Sequence, residues 1–251
     1  VILFIANRAN SQVTLSSEGF ENALTDFTVT TGTASYASGN TAAADFPASV
    51  PYTTSGTYSL KSSGTTTVLT SKIISTQNFS SVSISLRLAA IALNSTSQGL
   101  DATDNVVVAI SIDGGATFNN YLTVTGNSNA VWGFSTGTGT ATATYPTAAT
   151  AAPSTGGART TDGYSKLVIN SIPQNSNVVV RITMLNSNTS EVWVIDDFKM
   201  TGTSTCTAPT TAITGLSVSN VTNDGFDASW TNGNSNKRLI SVHASSNLQS
   251  I

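Results

Sequence analysis

The chain has 251 residues, among them 36 Ser, 41 Thr and 19 Gly, while charged residues make up only 9%, against roughly 25% in an ordinary soluble domain. Ten basic against 13 acidic residues leave a net charge of -3, and no basic run supplies the phosphate neutralisation that nucleic-acid binding requires, so no nucleic-acid partner is expected. A single Cys (Cys206) and a single His (His243) exclude a Cys/His zinc site, an intrachain disulfide and a Ser/His/Asp triad before Cys206.

Residues 1–11 open on Val1-Ile2-Leu3-Phe4-Ile5 and then turn polar. Ala9 and Ser11 precede Gln12 in the small-x-small pattern of a cleavage site, so the segment reads as a signal-peptide remnant, with a buried first strand as the alternative. No other apolar run reaches the roughly 18–20 residues that cross a bilayer, and no membrane span is expected. Thr30 to Ser63 is small and polar, with weak element signals. Val82 to Leu88 alternates with period two, apolar at Val82, Ile84, Leu86 and Leu88, which predicts a half-buried strand. Val106 to Ile112 is apolar on both faces at first, as a central strand would be. Asp113-Gly114-Gly115 after it predicts a tight turn, because Gly accepts positive φ. Further strands are predicted at Leu122–Val124, Val131–Phe134, Lys166–Ile169, Val178–Leu185 and Val192–Ile195. Ser135 to Gly157 reads either as a long loop or as a β-ribbon of small side chains. Helical periodicity is absent, so the fold class is all-β, a sandwich or barrel of short strands.

Residues 203–212, which begin Thr-Ser-Thr-Cys-Thr-Ala-Pro, read as a linker. Beyond it, Leu216 and Val218 with inward parity, the Asn223-Asp224-Gly225 turn, and a second strand ending at Trp230 resemble the start of a fibronectin type III domain, with Lys237 to Ala244 as its third strand. Only the beginning of such a domain fits in residues 213–251, since a complete one needs about 90–100 residues.

Residues 12–202 carry a second resemblance. Glu18-Gly19-Phe20-Glu21 near the start, Glu191-Val192-Trp193-Val194-Ile195-Asp196-Asp197-Phe198 at the end, and the Gly99 to Gly115 centre are similar to the jelly-roll modules called choice-of-anchor J, related to MAM-like and cleaved-adhesin domains. The resemblance implies a jelly-roll β-sandwich in a secreted or cell-surface bacterial protein, often one sorted by the type IX route. It also implies a module attached to adhesins, peptidases or nucleases and itself usually non-catalytic.

In a chain so poor in charge, Glu18 with Glu21, Asp101 with Asp104, and Asp196 with Asp197 stand out as three acidic clusters. First and last strands of a jelly roll commonly lie side by side, so Glu18 or Glu21 is expected near Asp196 or Asp197, with the Asp101–Asp104 loop able to reach the same rim. Adjacent carboxylates repel unless compensated, and Ca²⁺ takes six to eight hard oxygen ligands, so the sharper reading is a structural Ca²⁺ on these six residues. The plainer one is solvated turn residues. Glycoside hydrolysis finds no two Glu projecting into one groove, the three Glu being Glu18, Glu21 and Glu191. No catalytic residue is assigned. Trp132, Trp193, Tyr121, Tyr145 and Tyr164 are the aromatic candidates for stacking on sugar rings. Parity with Ile195 turns Trp193 to the core, whereas Trp132 fits either face. The function expected is adhesion or binding of a polysaccharide or other cell-surface ligand. The alternatives are an accessory region of a secreted nuclease or peptidase, or a structural spacer.

Overall fold

The computed structural model describes residues 12–42, 50–94, 98–156, 162–205, 211 and 214–233. The proposed signal-peptide remnant at 1–11, Cys206 with the linker residues up to 210, His243 and the strand expected at Lys237–Ala244 lie outside the described residues. The chain divides into two units, one comprising Asn10–Thr205 and the other the remaining residues.

In the first unit the strands are β1 (Gln12–Glu18), β2 (Phe27–Thr31), β3 (Ser35–Ser38), β4 (Tyr58–Ser63), β5 (Thr67–Ser71), β6 (Phe79–Ala92) and β7 (Asn105–Ser111). They continue with β8 (Asn119–Thr125), β9 (Gly139–Thr144), β10 (Ala149–Ala151), β11 (Tyr164–Ile172), β12 (Val179–Leu185) and β13 (Glu191–Ser204). One sheet has seven strands, ordered β3-β4-β13-β6-β11-β9 with β1 also pairing β13, and the other has six, ordered β10-β8-β7-β12-β5-β2. This is a jelly-roll β-sandwich.

Alternation builds the core between the sheets. Leu86, Leu88, Leu167, Ile169, Trp193 and Ile195 of the seven-stranded sheet join Leu69, Val108, Ile110, Leu122, Val180 and Ile182 of the other in one buried cluster. The expected alternation in β6 holds, with Val82, Ile84, Leu86 and Leu88 at most 2% exposed. Val192 and Val194 of β13 and Ala89 and Ile91 of β6 point the other way, yet they too are buried, under Tyr52 and Phe134. The seven-stranded sheet is therefore covered on both faces over one half, which explains why Val192–Ile195 reads as an unbroken apolar run.

Some elements differ from expectation. Val131–Phe134 forms no ladder: Trp132 makes a two-bond bridge to Ala90, and the chain then turns at Gly133–Gly137. The Thr-Ala stretch at Gly139–Ala151 forms strands of small side chains rather than a long loop, β9 pairing in parallel with β11 in one sheet and β10 in parallel with β8 in the other. Alternate small residues let it cross over, Ala141 and Ala143 turning into the core. The Asp113 turn is locked by its own acceptors: Ser111 Oγ donates to Oδ1, and Thr117 donates through its N–H to Oδ1 and its hydroxyl to Oδ2. These donors hold the Asp113 carboxyl well below the usual range.

The described part of the second unit is an antiparallel pair, β14 (Thr214–Ser219) and β15 (Asp227–Thr231). Leu216 and Val218, expected inward, are about half exposed, since no second sheet faces them among the described residues.

Candidate functional site

Strand β13 changes partner along its length. Val192–Ile195 pair with β4, whereas Phe198–Thr203 pair with β1 on the same side. At the changeover the ladder to β6 bulges between Asp196 and Lys199, and Asp197 takes φ +49°. Positive φ costs a non-Gly residue about 1–2 kcal/mol, least for Asp and Asn, whose side chains bond locally. Into this junction run the end of β1, with Glu18 and Glu21, and the segment Thr54–Tyr58 that leads into β4.

Glu18, Glu21 and Asp196 are tied to the backbone, and Asp197 to the Thr54 and Ser55 hydroxyls. Glu18 accepts from the N–H groups of Phe20, Thr25 and Asp26 and from the Thr25 hydroxyl. Glu21 accepts from the N–H groups of Thr57 and Tyr58. Asp196, fully buried, accepts through Oδ2 from Thr54 N at 2.7 Å and through Oδ1 from Asp197 N at 2.8 Å. The Thr54 hydroxyl lies 2.9 Å from Asp196 Oδ2 and 2.5 Å from Asp197 Oδ2, but it has one proton to donate. The two carboxylates therefore share one hydroxyl proton. Burial pushes the Asp196 carboxyl above its ordinary range, with the charge of Asp197 adding to the rise against the Thr54 hydrogen bonds.

Asp101 and Asp104 do not join this group. They meet Glu191, which begins β13 roughly 16 Å along the strand from Asp196, and one ligand oxygen from each of the three lies within 4.8 Å of the others. Asp104 Oδ2 accepts from Asp101 N and Oδ1 from Ser187 N, while Asp101 Oδ1 accepts from Asn129 N. Ser187 Oγ donates to Glu191. Three loops are thus held together by three carboxylates. Burial raises the Glu191 pKa, and the charges of Asp104 and Asp101 add to it against the Ser187 hydrogen bond. Glu191 was missed as a partner because its approach to Asp101 depends on strand order, which leaves no local mark in the sequence.

The sign of the Glu191 shift gives a test. Its folded-state pKa lies above the ordinary value, so between the two the folded state binds more protons and stability falls as pH rises through that window. In EDTA at pH 7, Glu191→Gln is expected to raise the melting midpoint by about 2–4 °C, the equivalent of about 1 kcal/mol for a unit of this size. The advantage closes as pH falls through that window, where the folded wild-type side chain takes up its own proton. A lower midpoint for the variant at pH 7 in EDTA would refute this reading of the cluster.

The aromatic candidates are mostly spent on the core. Trp132 and Trp193 are fully buried and pack edge to face with centroids 5.6 Å apart, so neither offers a ring to a ligand. Tyr121 is buried against Tyr145, centroids 4.9 Å apart. Tyr145 and Tyr164 are half-buried against the core. An open cleft of ≈ 250 Å³ lies instead over the outer face of the seven-stranded sheet, with Arg87, Phe134, Thr53, Thr54 and Pro51 in its lining. Arg87 Nη2 donates to Phe134 O at 2.6 Å, fixing the guanidinium at its edge.

No family model and no curated protein matches the chain. Among solved structures it is similar to the CBM22-1 xylan-binding domain of Paenibacillus barcinonensis Xyn10C, at 14% identity over 79% of this chain and 99% of that one, TM-score 0.39. It is also similar to the K3 cleaved adhesin domain of Lys-gingipain from Porphyromonas gingivalis, at 11% identity over 76% of this chain and 99% of that one, TM-score 0.39. A third likeness is to TmCBM61 in complex with β-1,4-galactotriose, at 8% identity over 69% of this chain and 85% of that one, TM-score 0.36.

Proposed function

We propose that the chain is a non-catalytic binding module, secreted or displayed on the cell surface, that takes a polysaccharide or another cell-surface ligand and uses Ca²⁺ as a structural ion. The observation that carries this reading is how the carboxylates are spent. Glu18, Glu21, Asp104 and Asp196 accept backbone N–H groups from the loops around them. Hydrolysis of a glycosidic bond instead needs two carboxyl groups flanking the substrate, one of them with a proton to give. Carboxylates tied in this way fix loops, and fixed loops over a rigid sandwich suit recognition.

Two features support the ion. The Thr54 hydroxyl shared by Asp196 and Asp197 fits a cation at that junction, and the Asp101–Asp104–Glu191 group offers clustered hard oxygens of the kind Ca²⁺ prefers. Residues 12–202 form the binding domain in this reading, 203–212 a linker, and 213–251 the start of a fibronectin type III domain. Leu216, Val218 and Phe226 are exposed among the described residues of that unit.

The test is retention of the full chain on a panel of insoluble and gel-embedded polysaccharides in the presence of Ca²⁺. Retardation on at least one polymer is expected. Uniform free passage across plant, bacterial and animal polymers would leave the spacer reading in its place.

A further inference from the structure

We propose that the outer face of the seven-stranded sheet binds an acidic, uronate-bearing polysaccharide, with Arg87, Lys166 and Lys199 meeting its carboxylates. This rests on the polysaccharide reading above and names the face and the ligand's charge.

The placement of scarce cations is the starting point. Among the described residues of the first unit the Lys and Arg side chains are Lys61, Lys72, Arg87, Lys166, Arg181 and Lys199. Four of these six stand on the same face. Arg87 has the opposite parity to the core residues Leu86 and Leu88, Lys166 to Leu167, Lys199 to Phe198 and Met200, and Lys61 to Leu60. Arg87 and Lys166 are direct cross-strand partners on β6 and β11, which sets their Cβ atoms about 4.5–5.5 Å apart. Like charges directly opposite one another destabilise a sheet, and a chain with 9% charged residues has ample neutral alternatives. Lys199 pairs with Ser85, two residues from Arg87, on the strand at the other side of β6. That places it on the diagonal, about 7–8 Å away. Three adjacent strands thus carry a row of positive charge.

The surroundings leave the row open to a polymer. Thr140 and Thr142 of β9 stand in register with Lys166 and Val168, and Ser83, Ser85 and Thr201 fill the neighbouring outward positions. These short side chains offer hydroxyl groups without blocking a chain lying flat across the strands. Lys166 and Lys199 are exposed, and no carboxylate pairs with either among the described residues. Asp196, cross-strand from Arg87, is buried and bonded to Thr54, and Asp197 is bonded to Thr54 and Ser55. Arg87 sits at the meeting point of this row and the cleft bordered by Phe134 and Thr54, its guanidinium already fixed by Phe134 O. A guanidinium held in place keeps its remaining N–H groups aimed for a carboxylate.

The experiment is affinity measurement on the full chain with polygalacturonate, a neutral galactan and a sulfated glycan of similar length, at low and raised salt. Polygalacturonate is expected to bind at least about tenfold more tightly than the neutral polymer, and to lose several-fold in affinity as salt rises and screening shortens. The double variant Lys166→Gln/Lys199→Gln should lose about fivefold or more with a melting midpoint no lower than the wild type's, since both side chains are exposed and the repulsion between Lys166 and Arg87 is relieved. Equal or tighter binding of the neutral or the sulfated polymer overturns the uronate assignment and leaves the polysaccharide reading standing. Undiminished polygalacturonate binding by the double variant overturns the face. Binding to none of the three, nor to any member of the broader panel, overturns both.

Discussion

Restoring about 10 mM Ca²⁺ to the EDTA-treated chain is expected to raise the melting midpoint of the jelly-roll unit by about 3–10 °C for each site filled. The size follows from linkage. Ca²⁺ sites of extracellular modules commonly dissociate at about 10⁻⁴–10⁻³ M, so about 10 mM ion is 10 to 100 times that value and contributes about 1.4–2.7 kcal/mol per site. About 2–4 °C per kcal/mol applies to a unit of this size. Two sites are separable by substitution. Asp197→Asn, at the junction where the Thr54 hydroxyl faces two carboxylates, removes one charge there and should cut the Ca²⁺-dependent rise while leaving the EDTA midpoint nearly unchanged. Glu191→Gln should cut it at the other group, where it also relieves the repulsion from Asp104 and Asp101. Identical midpoints in EDTA and in Ca²⁺ would mean that the hydrogen bonds of Thr54, Ser55 and Ser187 compensate these carboxylates unaided, and the structural ion would have to be abandoned.

Much of the sandwich is legible in sequence because alternation reports burial one strand at a time. Val82–Leu88 declares both its state and its inward face, and the Asp113-Gly114-Gly115 turn declares the hairpin between β7 and β8. Strands without that contrast are hidden. The two parallel-pairing segments around Gly139–Ala151 are built of Thr and Ala, which differ too little in polarity to show a face. Trp132 fits either face in sequence because its burial comes from a single bridge to Ala90 rather than from a strand with a period. The acidic residues divide along the same line. That Asp196 and Asp197 share a neighbourhood is visible, whereas their tie to Thr54 and Ser55, about 140 residues away, is a product of the order of strands β4, β13 and β1. The pairing of Asp101 and Asp104 with Glu191 has the same origin, as does the cation row, whose members lie on β6, β11 and β13 and adjoin only once these strands are in register.

Trp193→Ala is expected to lower the melting midpoint by roughly 6–20 °C, the largest effect of any single substitution considered. Removing a fully buried large aromatic side chain costs about 3–5 kcal/mol, because the cavity closes only in part, and about 2–4 °C per kcal/mol converts the loss. The indole also donates from Nε1 to Leu185 O at 2.9 Å, tying β13 to the end of β12, so Trp193→Phe should recover packing but not that bond. Its partner ring, Trp132, is gripped from the other direction. A Cβ on Gly163 would stand 2.4 Å from Trp132 Cγ and Cδ2, so Gly163→Ala forces the ring to move and is expected to cost about 1–3 kcal/mol by overpacking. The two effects are coupled through one ring, and coupling is measurable. In a Trp132→Phe background the same Gly163→Ala change meets a smaller side chain and should cost at least about 1 kcal/mol less than in the wild type. Strict additivity of the two substitutions would show that Gly163 is constrained by its own backbone instead, and that the tryptophan pair does not set the spacing of the segment on either side of β11.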